Sequence, residues 1–374
     1  MRILHWAVPY SAGVGGQSIF IERLAQDLVK RGHDVAIITN KTTDEKTRRE
    51  LSNNLVRVIR LNLNATNLDS EAGVKFGRTV EAIQEFNPDI IHIHNLVSRE
   101  IVYLKLFLNR KDTGTLTICT IHDLETLKRA LAWQVTGELL KQIDRIVSPS
   151  EYIDGFFEGM NEELRENFKI IYNGVPEKLP PSPTGKIKLH LLFAAELNEH
   201  KGAVVLLNAW SKICKNYPNI TLFIAGEGVA REFLQQYANT SEIGSQVVFT
   251  GWLSQIELNE YLSSECIFIM PSMLGEAFGL IAAEASMAGA AVIVSRIGAL
   301  PEIVKDRVSG LVVTPGDSNS LAQAIEELLN DEELRSKLGS EAKKRAQRLF
   351  SMEKSVDEYE KTYHQLITAQ KSSN

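Results

Sequence analysis

The sequence predicts an α/β protein built as two doubly wound domains in tandem, and three observations carry that prediction. Short apolar runs alternate with stretches of helical periodicity along the whole chain, the pattern of parallel strands joined by crossover helices. The pattern is interrupted once, at PEKLPPSPTGK (176–186), the only dense Pro/Ser/Gly segment, and then restarts. The length of 374 residues exceeds one ordinary core and suits two domains of roughly 150 to 200 residues.

Taken in order, ILHWAV reads as a strand, SAGVGG as a glycine-rich turn and IFIERLAQDLVKR as a helix that stops at Gly32. VAIIT then completes a βαβ unit. VRVIRL, DIIHIH, LTICTIH and RIVSPS are further strands, with amphipathic stretches around 72–86 and 126–143. Beyond the linker, KLHLLFAA, TLFIAGEG, QVVFTGWL, CIFIMPS, AAVIVS and GLVVTP read as strands. Helices are expected over 202–216, 229–239 and 279–288 and from 318 onward. The domains are therefore expected at 1–175 and 176–350, with a C-terminal helix in 351–374 whose amphipathic stretch, 353–368, could pack back across the hinge. Parallel sheets bind ligands beyond the carboxyl ends of their strands, so the active site is expected between the two domains.

Composition excludes several function classes. The net charge is −6, divided as 22 Lys+Arg against 23 Asp+Glu up to residue 175 and 19 against 24 after it, so no basic face for nucleic acid is expected. Cys119, Cys214 and Cys266 are too scattered for a disulfide framework or a CxxC metal site and read as structural thiols of a cytoplasmic protein. MRILHWAVPY lacks the pattern of a signal peptide, and LIAAEASMAGAAVIV is too short to cross a bilayer. A mildly amphipathic stretch near Lys128, Arg129 and Trp133 leaves peripheral association with the inner face of the membrane open, although the charge does not support it.

Several motifs carry chemistry. Gly15 and Gly16 open the first helix, where backbone amides and the helix dipole could meet a diphosphate; a plain tight turn is the alternative. A dinucleotide fingerprint is not complete, because Ser18 stands at the third glycine and the next strand ends in Thr39 and Asn40. His92 and His94 alternate on one strand and share a face, but two ligands and no D-x-D do not make a metal site, and none is expected; His94 could instead line the acceptor side. LGEAFGLIAAEAS (274–286) keeps two carboxylates, Glu276 and Glu284, eight positions apart. On one helix they would stand about 80° apart. Glu276 is therefore expected in the loop after CIFIMPS, with Gly279 starting the helix and Glu284 in its second turn. Carboxylates accept hydrogen bonds from the paired hydroxyls of sugars.

The ordered series GVGG, IHD (121–123), SPS (148–150), YNGV (172–175), HKG (200–202), AGEG (225–228), FTGW (249–252), PSMLGEAFGLIAAEA (271–285) and GLVVTPGD (310–317) closely resembles the retaining glycosyltransferases of family 4. That resemblance spans nearly the whole chain and implies the GT-B fold, two Rossmann-like domains facing across a cleft. It implies that Glu276 and Glu284 are the E-x7-E pair, Glu276 holding the donor sugar's hydroxyls and Glu284 the nucleotide ribose. The amides of Phe278, Gly279 and Leu280 would face the diphosphate, Lys201 would neutralise it as the nucleotide leaves, and His122 would contact the sugar near the reacting centre. No cofactor or metal is implied beyond the nucleoside diphosphate sugar as co-substrate.

One departure bears on function. The family usually has an arginine in G-R-L-x-x-x-K-G, and this chain reads AELNEHKG (195–202), with Glu196 at the arginine's place. A carboxylate about 5 Å from one phosphate charge costs on the order of 3 kcal/mol at an effective dielectric of about 20. Glu196 therefore turns away, contacts a cationic or hydroxyl-rich substrate, or impairs diphosphate binding; Arg296 could compensate. Ala291, where proline is common, has no functional consequence. The resemblance implies hexosyl transfer from a nucleoside diphosphate sugar, with UDP expected, to a carbohydrate, lipid-linked or small-molecule hydroxyl acceptor. The alternatives are a nucleotide-sugar-binding subunit with little or no turnover and a sugar-nucleotide epimerase. Residues 41–70 carry no motif that identifies the acceptor.

Overall fold

The computed structural model describes residues 1–7, 15–40, 56–61, 79–95, 114–122, 140–158, 165–177, 187–241, 243–263 and 265–373. Asp123, the stretch with Lys128, Arg129 and Trp133, most of 41–70 and most of the linker lie outside the described residues. The chain divides into two compact units, one made of Met1–Gly174 with Met352–Asn374 and the other of Val175–Ser351.

In the first unit, β1 (Arg2–Ala7), β2 (Asp34–Asn40), β3 (Arg57–Leu61), β4 (Ile90–His94), β5 (Leu116–Thr120), β6 (Arg145–Ser148) and β7 (Phe168–Ile170) form one sheet in the order β3-β2-β1-β4-β5-β6-β7. Every pairing in it is parallel. The central strands β4 and β5 are buried at every residue, as expected of a sheet covered on both faces, and this is why they read as continuous apolar runs. Helix α1 (Gly16–Lys30) buries Phe20, Ile21, Leu24, Ala25 and Leu28, the i, i+4, i+8 stripe of an amphipathic helix. It ends at Gly32, whose φ of +87° suits glycine. The short α2 (Glu151–Gly155) is capped by Ser150, whose hydroxyl accepts from the Ile153 N–H.

The second unit repeats the plan. Strands β8 (His190–Ala194), β9 (Leu222–Ala225), β10 (Val247–Gly251), β11 (Cys266–Met270), β12 (Ala291–Ser295) and β13 (Leu311–Val313) form a sheet in the order β10-β9-β8-β11-β12-β13. They too pair in parallel. The helices are α3 (Ala203–Ile213), α4 (Arg231–Thr240), α5 (Gln255–Leu262), α6 (Leu280–Ala288), α7 (Leu300–Ile303), α8 (Ser318–Asn330) and α9 (Glu332–Phe350). Their starts follow local chemistry. Ser254 and Glu257 form a capping box on α5, and Asp317 and Asp331 cap α8 and α9. Trp210, Phe193, Leu206 and Ile325 fill the core.

The last helix, α10 (Met352–Ser373), belongs to the first unit. Val356, Tyr359, Tyr363 and Leu366 form its buried stripe, in one core with Phe20, Leu24 and Ile118. Its polar face is pinned as well: Arg31 and His33 both meet Glu360 at 2.7 Å, and Lys169 meets Glu358 at 2.8 Å. The Tyr359 hydroxyl lies 3.1 Å from Thr120 Oγ1 at the end of β5. Tyr359→Ala removes a fully buried ring, and by comparison with other aromatic truncations it should destabilise the first unit by about 3 to 5 kcal/mol, read as a lower urea midpoint. A loss under about 1 kcal/mol would mean that α10 is not part of that core.

Candidate functional site

In a doubly wound sheet the strand order reverses at one point, and the chains leaving the two central strands there diverge to leave a crevice at their carboxyl ends. In the second unit that point lies between β8 and β11. The segment after β8 forms a 3-10 turn over Glu199–Lys201, held by Asn198, whose side chain accepts from the His200 and Lys201 N–H groups. Gly202 follows with φ +76°, and a Cβ there would lie 1.9 Å from the Pro271 carbonyl oxygen, so only glycine lets the two segments approach so closely. The Met273 N–H donates to the His200 carbonyl at 2.7 Å and fixes that approach.

The loop after β11 is held from the other side by Gly298. A Cβ on Gly298 would fall 2.4 Å from the Glu276 nitrogen, and the Ala299 N–H donates to the Glu276 carbonyl at 2.9 Å. Between these two contacts the Glu276 carboxylate receives Lys201 Nζ at 2.7 and 3.0 Å and the Ser272 hydroxyl at 2.8 Å. The side chains of Lys201 and Glu276 remain 26% and 15% exposed, so a ligand can reach both. The pair joins a cation suited to phosphate and an acceptor suited to hydroxyls at one spot.

Two residues on, Phe278 is buried and stacks edge-on against Phe350 at 5.5 Å, so its side chain belongs to the core. Gly279 caps α6 with φ +97° and no side-chain cap, and Leu280 is the first helical residue. The first amides of a helix have no intrahelical acceptor and favour an anion. Glu284 sits in the second turn of α6 and is only 3% exposed. Glu196 lies in the segment after β8; its side chain is exposed, and among the described residues nothing pairs with its carboxylate. Arg296 pairs with Asp306 at 3.3 Å.

In the first unit the corresponding reversal lies between β1 and β4. Gly15, with φ +80°, caps α1, and Gly16 is its first residue. His122 follows β5 by two residues. Its backbone N–H donates to Asn95 Oδ1 at 2.6 Å, and the Asn95 amide donates to Gln17 Oε1 at 3.0 Å. Its ring joins a cluster that the parallel register assembles, since His5 pairs with His92 and His94 with Thr120. His122 Nε2 lies 3.0 Å from His94 Nδ1, and His94 Nε2 lies 2.9 Å from His5 Nδ1. His92 Nδ1 meets the Tyr363 hydroxyl and its Nε2 meets Thr120 Oγ1, both at 2.7 Å.

One nitrogen each of His5, His92 and His94 lies within 4.8 Å of the others, a spacing that a metal ion could use. Yet both nitrogens of His92, both of His94 and Nδ1 of His5 are engaged in the hydrogen bonds just given, and the His92 and His94 rings stack at 4.1 Å instead of converging on a point. The cluster is a hydrogen-bonded network of neutral rings. Burial pushes His5 and His122 down to about 3, and burial reinforced by neighbouring imidazoles lowers His92 and His94 well below the usual range.

The structure thus brings Lys201, Glu276, Gly279, Leu280 and Glu284 onto one sheet edge, and Gly15, Gly16 and His122 onto the other sheet. Sequence reasoning did not find Ser272, Gly298, Asn95, Gln17 or His5. His5 had one signal, its place in a strand that pairs with the one carrying His92 and His94, but that pairing joins residues far apart in sequence.

Comparison with known proteins identifies the family. Residues 14–179 match the family model described as Glycosyltransferase Family 4, and residues 177–345 match that of Glycosyl transferases group 1. The chain belongs to this glycosyltransferase group, and its fold is GT-B. It is 27% identical to a glycogen synthase of Mycobacterium tuberculosis over 88% of this chain and 86% of that one. Among solved structures it resembles a sucrose-phosphate synthase from Thermosynechococcus elongatus, with TM-score 0.79 and 23% identity over 98% of this chain and 99% of that one. It also resembles Anabaena HepE in complex with UDP-glucose, with TM-score 0.76 and 18% identity over the full length of both. Among the described residues, no helix is long and apolar enough to cross a membrane.

The imidazole cluster has a consequence for stability. Rings held neutral in the fold but free to protonate near 6.5 when unfolded contribute stability that is complete above about 6.5 and is lost as pH falls toward 3. Each should cost about 1.4 kcal/mol per pH unit in that window. Urea unfolding at pH 7.5 and 5.5 should show a lower midpoint at 5.5, less so in His5→Phe; equal midpoints would contradict neutral burial.

Proposed function

We propose that this glycosyltransferase moves a hexosyl group from a nucleoside diphosphate sugar, UDP-linked, to a hydroxyl acceptor with retention at the anomeric carbon and without a metal ion. The observation that carries the reading is the Lys201–Glu276 pair at the carboxyl edge of β8 and β11. A cation and a carboxylate held together but still accessible suit a ligand with a diphosphate joined to a sugar. On binding, Lys201 exchanges the carboxylate for the diphosphate, and Glu276 exchanges the ammonium for sugar hydroxyls. The start of α6 at Phe278, Gly279 and Leu280 supplies amides for the diphosphate, and Glu284 accepts from the ribose hydroxyls. Gly15 and Gly16 are assigned to the donor as well, and His122 to the donor sugar. The UDP assignment is supported by HepE, a relative in fold crystallised with UDP-glucose.

In the reaction the bond from the anomeric carbon to the leaving phosphate oxygen breaks, and the acceptor oxygen bonds to that carbon on the same face. The acceptor proton passes to the departing phosphate oxygen. Lys201 and the α6 amides stabilise the charge that develops there. The acceptor is a carbohydrate, a lipid-linked or a small-molecule hydroxyl, and the reaction is placed in polysaccharide, glycolipid or glycoconjugate synthesis.

The two members of the ion pair should respond in opposite ways. Glu276→Ala frees Lys201, so UDP should bind at least as tightly as before, while transfer or slow hydrolysis of UDP-glucose falls by about 100-fold or more. Lys201→Ala should weaken UDP by about 10- to 100-fold, the loss expected for one charge-assisted contact. Calorimetric titration with UDP, GDP and ADP, followed by mass-spectrometric detection of released sugar, reads both effects. A Glu276→Ala protein with full turnover would overturn the assignment.

Glu196, which pairs with nothing among the described residues, favours one second reading, a subunit that binds the donor without turning it over. Its mark would be donor binding with no product from any acceptor. Because the side chain is exposed, its repulsion of a phosphate is screened, and Glu196→Arg should tighten UDP only about 3- to 10-fold at low salt. Unchanged or weaker binding would show that Glu196 does not face the diphosphate.

A further inference from the structure

His122 is the first unit's side-chain candidate for contact with a ligand, and its ring does not stand alone. A neutral imidazole has one N–H donor and one bare nitrogen acceptor. In a row of imidazoles joined nitrogen to nitrogen, fixing one proton therefore fixes all of them. His122 Nε2, His94 Nδ1, His94 Nε2 and His5 Nδ1 form such a row, with contacts of 3.0 and 2.9 Å, and it ends at His5 Nε2, which is buried and has no partner among the described residues.

Two proton arrangements satisfy the row. In one, every ring carries its proton on Nε2, and the His5 end is a buried N–H with no acceptor. In the other, every ring carries it on Nδ1, and the His5 end is a bare nitrogen. Buried backbone N–H groups are stranded more rarely than carbonyl acceptors, and the same preference carried over to the ring favours the bare nitrogen at the His5 end. The second arrangement leaves His122 with its proton on Nδ1, the ring nitrogen that no protein group engages among the described residues. Converting the first arrangement into the second requires a proton to leave His5 Nε2, and the reverse requires one to arrive there, and no group among the described residues can accept or supply it.

We infer that His5 and His94 are positioning residues that hold His122 in a single neutral Nδ1–H tautomer, so that it offers a ligand a hydrogen-bond donor and not a base. Asn95 completes the arrangement by accepting from the His122 backbone N–H at 2.6 Å, and it is fixed in turn by Gln17. The neutral state suits contact with a sugar hydroxyl or ring oxygen, which accepts a hydrogen bond without taking a proton. The tautomer follows from the protein alone; its use toward the donor sugar rests on the function proposed above.

The test is a two-bond 1H–15N correlation spectrum of the full chain labelled with 15N-histidine at pH 7, with His122 assigned by its loss in His122→Gln. A protonated Nδ1 and a bare Nε2 on His122 are expected as two well-separated nitrogen resonances. In His94→Leu, where Nε2 of His122 loses its donor, they should move toward a common averaged position. In His94→Gln, whose amide can donate to the same nitrogen, the separation should return at least in part. A His122 with its proton on Nε2, an imidazolium, or a ring whose resonances do not change in His94→Leu would overturn the inference. Because no substrate is present, the spectrum tests the tautomer whether or not the donor-sugar reading survives the UDP-glucose measurements.

Discussion

The close approach of Gly202 to Pro271 is the contact on which the second unit's chemistry depends. Lys201 and Glu276 are 75 positions apart and leave different strands, and a side chain at residue 202 would drive those strands' loops apart. With glycine there, one loop's carbonyl fits against the other's backbone and Met273 donates across the seam. Gly298 gives the same freedom on the far side, so the Glu276 loop is held between two backbones. The glycines act before the charges do: they set the distance at which Nζ and the carboxylate can meet, and Ser272 only refines the carboxylate's direction.

The two units use one topology for different electrostatics. At the β8/β11 reversal the polar groups are charged and partly exposed, where water and a ligand can both offset the cost of charge. At the β1/β4 reversal they are imidazoles, with His5, His92 and His94 buried in the strands and His122 partly buried beyond β5, where a charged ring would be costly and burial keeps each one neutral. This division also accounts for the role of α10. Tyr363 and Tyr359 bring hydroxyls to His92 and Thr120, polar groups that a wholly apolar helix would have left stranded.

Much of this was legible in sequence because parallel strands buried on both faces announce themselves as apolar runs, and every strand of the second unit lies in a run so identified. The boundary of α6 was legible for a local reason too: Gly279 can take a positive φ, and the carboxylates' spacing places Glu276 outside the helix and Glu284 within it. What escaped reading was non-local. The amphipathic period of 353–368 shows that α10 has a buried face but not which core receives it. His5, an ordinary histidine in an apolar strand, gains a role only when β1 pairs with β4 and brings His92 alongside it. Gly298 looks like any turn glycine until the Glu276 backbone is seen against it.

The imidazole row is asymmetric at its two ends. Had Thr39, Asn95 or a tyrosine from α10 met His5 Nε2, both proton arrangements would have had a partner at the inner end, and the row could have carried either direction at similar cost. The Tyr363 hydroxyl of α10 instead satisfies His92, the one ring outside the row, and among the described residues the row's inner end has no partner. A buried nitrogen without a partner costs stability, on the order of 1 to 3 kcal/mol. That cost is what makes the two arrangements unequal, since a stranded proton and a stranded lone pair are not equivalent in a protein interior. The direction of the hydrogen bond that His122 presents to a ligand is thus decided at His5, two rings away, by what the core does not supply.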